Sequence, residues 1–263
     1  MTSSLTLTPV HTPVGELGAA PRPATFLDAV AGEWIKLRTQ RGLLITLVIG
    51  VAVTIAVGAD NSAANARSLA KGGFLPGSDP TWITQAGMKF GLLAFAIAGT
   101  LAVTSEYGSG MIRTSLTAVP ARGRLLAAKA TVLTAVTLVA GLIASVASFA
   151  VGRSLIGPGV HLSPGDPGVL RALLGGGLCL ATCGLLALGL GFVLRNAVAA
   201  VGAVFALYVG SLAVGSGTYL PFDAGLRITR AAEPHAWNGY LVLLVWAAAA
   251  LAAAYVLLKR RDA

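Results

Sequence analysis

Few residues in this sequence could carry covalent or metal chemistry, and spacing decides most of them. Cys179 and Cys183 stand four apart, so a helix would put both thiols on one side of a single rod. That arrangement makes no disulfide staple. With no further ligand nearby, the pair reads as small apolar packing residues. His161 and His235 are well separated and lack metal-ligand spacing. No Ser-His-Asp or paired-carboxylate set can be assembled from residues that would meet in space. The phosphate-cradling pattern G-x-x-x-x-G-K-[ST] does not occur. Glu106 has two readings: a buried proton carrier, or a structural ion pair, which its place at the end of an apolar run and its basic neighbours favour. Lys89 either snorkels to an interface or lines a polar cavity.

The elements that would position these residues are membrane helices. Of 263 residues, 56% are hydrophobic and 11% charged, against about 25% charged in an ordinary globular chain. The chain therefore reads as an all-α integral membrane protein. Its composition excludes disorder and coiled coil and leaves little room for a soluble catalytic domain. A bilayer core needs roughly 20 apolar residues per helix, and six segments qualify: about 43–59, 83–104, 131–152, 170–194, 197–215 and 237–258.

The formal net charge is +9. The basic residues flank the apolar segments instead of forming one continuous patch, so helix orientation explains them and nucleic acid does not. One side of the membrane receives Arg22, Lys36, Arg38, Arg41, Arg113, Arg122, Arg124, Lys129, Arg195, Lys259, Arg260 and Arg261. The other receives Arg67, Lys71, Lys89, Arg153, Arg171, Arg227 and Arg230. The richer side is expected to be cytoplasmic, with both termini there, in the cytoplasmic membrane. Residues 1–25, rich in Thr, Ser and Pro, read as a disordered cytoplasmic tail, and 259–263 as a cytoplasmic basic tail.

Two polar segments are informative. Residues 26–42, FLDAVAGEWIKLRTQRG, place Phe26, Val30, Trp34 and Leu37 at helical spacing, with Lys36, Arg38 and Arg41 on other faces. This is expected to be an amphipathic helix in the inner interface, contacting membrane lipids; the alternative is a cytoplasmic extension of the first span. The loop 105–129 reads SEYGSGMIRTSLTAVPARGRLLAAK. After Gly108 and Gly110, Ile112, Leu116 and Val119 recur at i, i+4 and i+7, and Pro120 ends the run. Such a helix needs lipid headgroups or a partner groove to cover its apolar stripe.

EWIKLRTQRG before the first span, the whole 105–129 loop, YLPFDAG at 219–225 and the closing LLKRRDA resemble the permease subunits of ABC transporters of the six-helix, type-2 exporter class, especially actinobacterial ones. The resemblance runs from about Phe26 to Ala263. It implies a six-helix transmembrane domain (43–258) that works as a dimer, with an N-terminal elbow helix at 26–42 carrying Trp34, Lys36, Arg38 and Arg41. It also implies a coupling helix within 107–119 that docks on a separate ATPase subunit. Tyr107, Met111, Ile112, Arg113, Leu116 and Thr117 are the residues expected at or near that docking surface. ATP and Mg would bind the partner, and this chain would hold no cofactor or metal and have no catalytic residue.

Glycines mark helix contacts in a bilayer. Gly87 and Gly91 form a G-x-x-x-G pair, and the fourth span carries Gly175, Gly176, Gly177, Gly184, Gly189 and Gly191; these read as a sliding surface or as tight packing. The spans show no periodic polar lining, so an apolar or amphiphilic substrate (antibiotic, lipid or peptide) is more natural than an ion. The last outer loop, 216–236, is expected to hold a short helix dipping at the outer face. A non-transporting membrane anchor or immunity protein that binds an antibiotic or partner is the alternative. An intramembrane enzyme or ion-coupled carrier would need charged residues at mid-span.

Overall fold

The computed structural model describes residues 25–73, 79–119, 121–157, 160, 163–214 and 219–261. Arg22 and the rest of the tail before Thr25, Pro120, His161, Asp262 and Ala263 lie outside the described residues. In chain order the helices are α1 (Phe26–Thr39), α2 (Arg41–Ala70), α3 (Pro80–Thr84), α4 (Met88–Ser109), α5 (Met111–Ala118), α6 (Arg122–Ile156), α7 (Val169–Leu194), α8 (Ala197–Val214), α9 (Pro221–Leu226) and α10 (Ala236–Arg261). A 3-10 turn, Arg227–Thr229, follows α9. Among the described residues there is no strand, and α2, α4, α6, α7, α8 and α10 are long and apolar enough to cross a membrane.

Helix α7 is the axis of the bundle because its glycines admit a different neighbour on each side. A Cβ on Gly175 would meet Ile228, one on Gly176 would meet Ser145 of α6 and Met88 of α4, and one on Gly189 would meet Ala250 of α10. The closest approach is to α4, where a Cβ on Gly99 would lie 2.2 Å from the Gly184 carbonyl oxygen. Backbone-to-backbone contact of this kind replaces the hydrophobic drive that lipid does not supply. The glycine-rich fourth span is therefore packed all round. The peripheral helices α2, α8 and α10 keep most of their apolar surface outward, as lipid or a second subunit requires.

Three of the six spans differ clearly from the apolar runs. The second run splits, because α3 ends at Thr84 and α4 starts only after Gly87, where a Cβ would sit 1.9 Å from the Thr54 carbonyl oxygen. Helix α2 continues past Ala59 to Ala70; its added turns are polar but bonded, Asn61 Nδ2 donating to the Ile83 carbonyl at 2.9 Å and Asn65 Nδ2 to that of Asn61 at 2.8 Å. Helix α6 begins at Arg122, so Arg122, Arg124 and Lys129 are helical and not in a loop.

The expectation that no span carries a periodic polar face is corrected. Gly50, Thr54, Gly58 and Ser62 form a buried stripe on α2 at spacing four, facing the buried Thr84 and Ser148. The composition hid it, because small hydroxyl residues bond backbone carbonyls and barely lower the hydropathy of a run. Ser148 Oγ donates to the Thr84 carbonyl at 2.7 Å, and Gln85 Nε2 to that of Ser145 at 3.0 Å. Gln85→Leu should remove this second bond to a carbonyl that α6 already satisfies and cost about 0.5–1.5 kcal/mol, read as a lower thermal midpoint in detergent. An unchanged midpoint would mean the network contributes nothing.

At this same end α9 and the 3-10 turn are tucked between α7 and α10, with Phe222, Ala224, Leu226 and Ile228 buried. Arg171 Nη2 donates to the carbonyls of Arg230 (2.8 Å) and Ala231 (2.9 Å), and the Ala232 N–H donates to Asp79 at 3.1 Å. Trp82 carries Lys89 and Arg230 over its ring at 5.3 and 4.5 Å. Lys89 thus sits on an indole at the end of the bundle. Cys179 and Cys183 are free, buried thiols in the core.

Candidate functional site

The opposite end, where α1, α5, the first turns of α6 and the end of α10 gather, carries the features that could exchange force or ligands. Helix α1 starts at Phe26 through a capping box. Thr25 Oγ1 accepts from the Asp28 N–H at 3.2 Å, while Asp28 Oδ2 accepts from the Thr25 N–H at 2.9 Å. Its inward face is Ala29, Glu33 and Leu37, at spacing four. Phe26, Leu27, Trp34 and Ile35 point outward, and Arg38 and Arg41 are exposed. The stripe expected from Phe26, Val30, Trp34 and Leu37 is therefore rotated: a glutamate lies on the buried face and Trp34 on the outer one. The cause is electrostatic, because Glu33 finds cations inside.

Those cations are Lys36 and Lys129. Glu33 is 4% exposed, Glu106 at the end of α4 is 1% and Lys129 on α6 is 5%. Lys129 Nζ is bonded to Glu33, and to Glu106 at 2.8 Å. Lys36 Nζ reaches Glu33 at 2.6 Å and Glu106 at 3.3 Å, and donates to Ser115 Oγ on α5 at 2.8 Å. Two carboxylates and two ammoniums thus form an electroneutral quartet that joins α1, α4 and α6, with α5 hung on it through one hydroxyl. Neutrality is what makes it tolerable, because a buried charge without its partner is far costlier than a buried pair.

Burial pulls the Lys36 pKa down, but the Glu33 and Glu106 carboxylates outweigh it and hold the group above the ordinary lysine value. A raised pKa gives a contribution that is complete below the ordinary value of about 10.4 and is lost as pH rises through the folded-state value. Thermal stability should therefore differ from that of Lys36→Met by a constant amount from about pH 6 to about pH 9, and the difference should close above about pH 10.4. A difference that closes on the acid side would contradict this.

Helix α5 follows Gly110, which takes a left-handed conformation at φ +73 open to glycine without strain. Ile112, Ser115 and Val119 are buried and Leu116 is half-buried, whereas Met111 (45% exposed), Arg113, Thr114 and Thr117 face outward. The idea that this helix needs an outside groove for its apolar stripe is thus corrected: Ile112 and Val119 pack into the chain's own core. Tyr107 also turns inward, edge-on to Phe192 at 6.4 Å, with the Arg195 guanidinium over its ring at 5.4 Å.

Two grooves flank α5. One, of about 560 Å³, lies between α1 and α5 and takes in Asp28, Glu33, Lys36, Met111 and Ser115. The other, of about 680 Å³, is lined by Tyr107, Gly110, Ile112, Arg113, Leu116 and Arg195. Sequence reasoning places Lys129, Ser115 and Arg195 at this end without giving them a role, and misses Glu33. The available signal was a glutamate four residues from both Ala29 and Leu37.

A search of curated proteins finds no match to this chain. A family model described as ABC-2 family transporter protein matches residues 29–211, from α1 nearly to the end of α8. With six membrane-length helices and a match over most of its length, this chain belongs to the ABC-2 transporter family.

Proposed function

We propose that this protein is the permease subunit of an ATP-driven exporter in the cytoplasmic membrane, with the α1–α5 end in the cytoplasm and a separate ATPase subunit docked on α5. The observation that carries this reading is the outward face of α5. Met111, Arg113, Thr114 and Thr117 are exposed on a short helix whose other side is anchored in the core and, through Ser115, to the ionic quartet. A helix held in this way can pass displacement to α1, α4 and α6 without unfolding. ATP and Mg bind the partner in this scheme, and the permease works with a second permease, as a homodimer or a heterodimer. ATP must favour one arrangement of the ATPase pair, because a ligand with equal affinity for both states shifts nothing.

The substrate class follows from the surfaces available. The flanks of α2, α8 and α10 are apolar, and the hydroxyls of the α2 seam bond backbone carbonyls, which favours an apolar or amphiphilic cargo. Inverted membrane vesicles holding both subunits should accumulate a fluorescent phospholipid, a lipopeptide or a hydrophobic antibiotic when ATP is added, and not with either subunit alone. Equal uptake with and without ATP for every member of that panel would overturn export of such cargo.

A further inference from the structure

The two grooves beside α5 differ in charge. The α1 side presents Asp28 and Glu33 against Lys36, whereas the far side presents two guanidiniums, Arg113 and Arg195, and no carboxylate among its lining residues. Arg195 is placed there by its backbone. It closes α7 at φ +55, the one positive φ of a non-glycine residue among the described residues, and its N–H bonds the Gly191 carbonyl at 2.9 Å. Side-chain-bearing residues rarely take this conformation. Here it ends α7 abruptly, lets Asn196 Oδ1 accept from the Ala199 N–H at 3.0 Å to start α8, and leaves the guanidinium over Tyr107 beside α5. Arg113 comes from the exposed side of α5 itself.

We infer that the Arg113–Arg195 groove receives a carboxylate side chain of the ATPase subunit, which fixes the direction in which that subunit straddles α5. This rests on the reading of α5 as the docking helix. A guanidinium is a planar fork that matches a carboxylate through paired hydrogen bonds, and two of them on one groove wall discriminate strongly against a cation. Four of its six lining residues, Gly110, Ile112, Arg113 and Leu116, belong to α5 or the turn before it, so a partner that covers α5 also covers this groove and brings a protein side chain to it. A partner docked the opposite way round would bring its carboxylate against Asp28, where like charges repel, on a groove whose other charges, Glu33 and Lys36, already belong to the neutral quartet.

The test uses full-length permease and ATPase co-purified in mild detergent. Arg113→Gln with Arg195→Asn should weaken the association about tenfold per lost charged hydrogen bond; asparagine tolerates the left-handed turn, so α7 still ends correctly. Raising salt should weaken the wild-type complex and leave the double variant little changed. In Arg113→Lys, a water-soluble carbodiimide should join the new amine to an aspartate or glutamate of the ATPase as an amide, and peptide mapping should locate that residue. A link found only to carboxylates of the permease, or release of the ATPase by phosphatidylglycerol vesicles but not by phosphatidylcholine vesicles, would overturn the inference. If the double variant binds as tightly as wild type, the groove assignment fails while docking on α5 stands. If wild type holds no ATPase, both fail.

Discussion

Replacing Lys129 by methionine should cost about 3–5 kcal/mol, one of the two largest single-site losses expected in this chain. The methionine keeps the packing volume but leaves Glu33 and Glu106 buried together, with Lys36 alone at the rim to neutralise them. The loss would appear as a lower thermal midpoint and a smaller monodisperse peak in detergent. Glu33→Gln in the same chain should recover most of it, because Glu106 and Lys36 are then a balanced pair again. Such recovery is a coupling between contacting residues and not an additive effect. A Lys129→Met protein as stable as wild type would mean that the quartet is not held as described.

The second large effect concerns the α4–α7 contact. At Gly99 the obstacle to a side chain is the Gly184 backbone, 2.2 Å from where a Cβ would sit, and backbone cannot swing aside as a side chain can. Gly99→Val should force the two best-buried spans apart and cost at least the 1–3 kcal/mol typical of overpacking, with folded yield in the membrane as the readout. Gly202→Ala on α8 is the control. A Cβ there meets nothing within 4 Å, so the change should be neutral or slightly stabilising through helix propensity. If the two substitutions behave alike, close approach at Gly99 is not what holds α4 to α7.

The membrane helices were the most legible part of this sequence, because a bilayer demands long apolar runs and the runs at 170–194 and 197–215 leave little else to read. Their joints were not legible. The break at Gln85 to Gly87 falls inside an apolar stretch, and its cause is the Thr54 carbonyl of another helix. The polar seam of α2 was missed for a related reason: Thr54 and Ser62 bond their own helix, at the Gly50 and Gly58 carbonyls, so nothing local marks them as buried. At the other end, the helical period of 111–119 was readable, but which side faced the protein was not. Ser115 turns inward because Lys36, 79 positions away, is there to donate to it. Glu33 is the sharpest case: its charge argued for solvent, and Lys129 from a distant helix joins the local Lys36 to make its burial possible.

These features support one picture, in which α5 is the handle and the quartet is the joint between the handle and the spans. In that picture the exposed face of α5 holds a separate ATPase, as proposed above. The most direct measurement is co-purification of that ATPase with full-length permease from mild detergent, comparing wild type with Met111→Asp, Thr117→Asp. Both residues face outward, so the permease should stay folded and monodisperse. Wild type should retain the ATPase and the variant should lose it. Equal retention by a folded variant would contradict docking on α5, and a wild type that holds no ATPase would contradict the account as a whole.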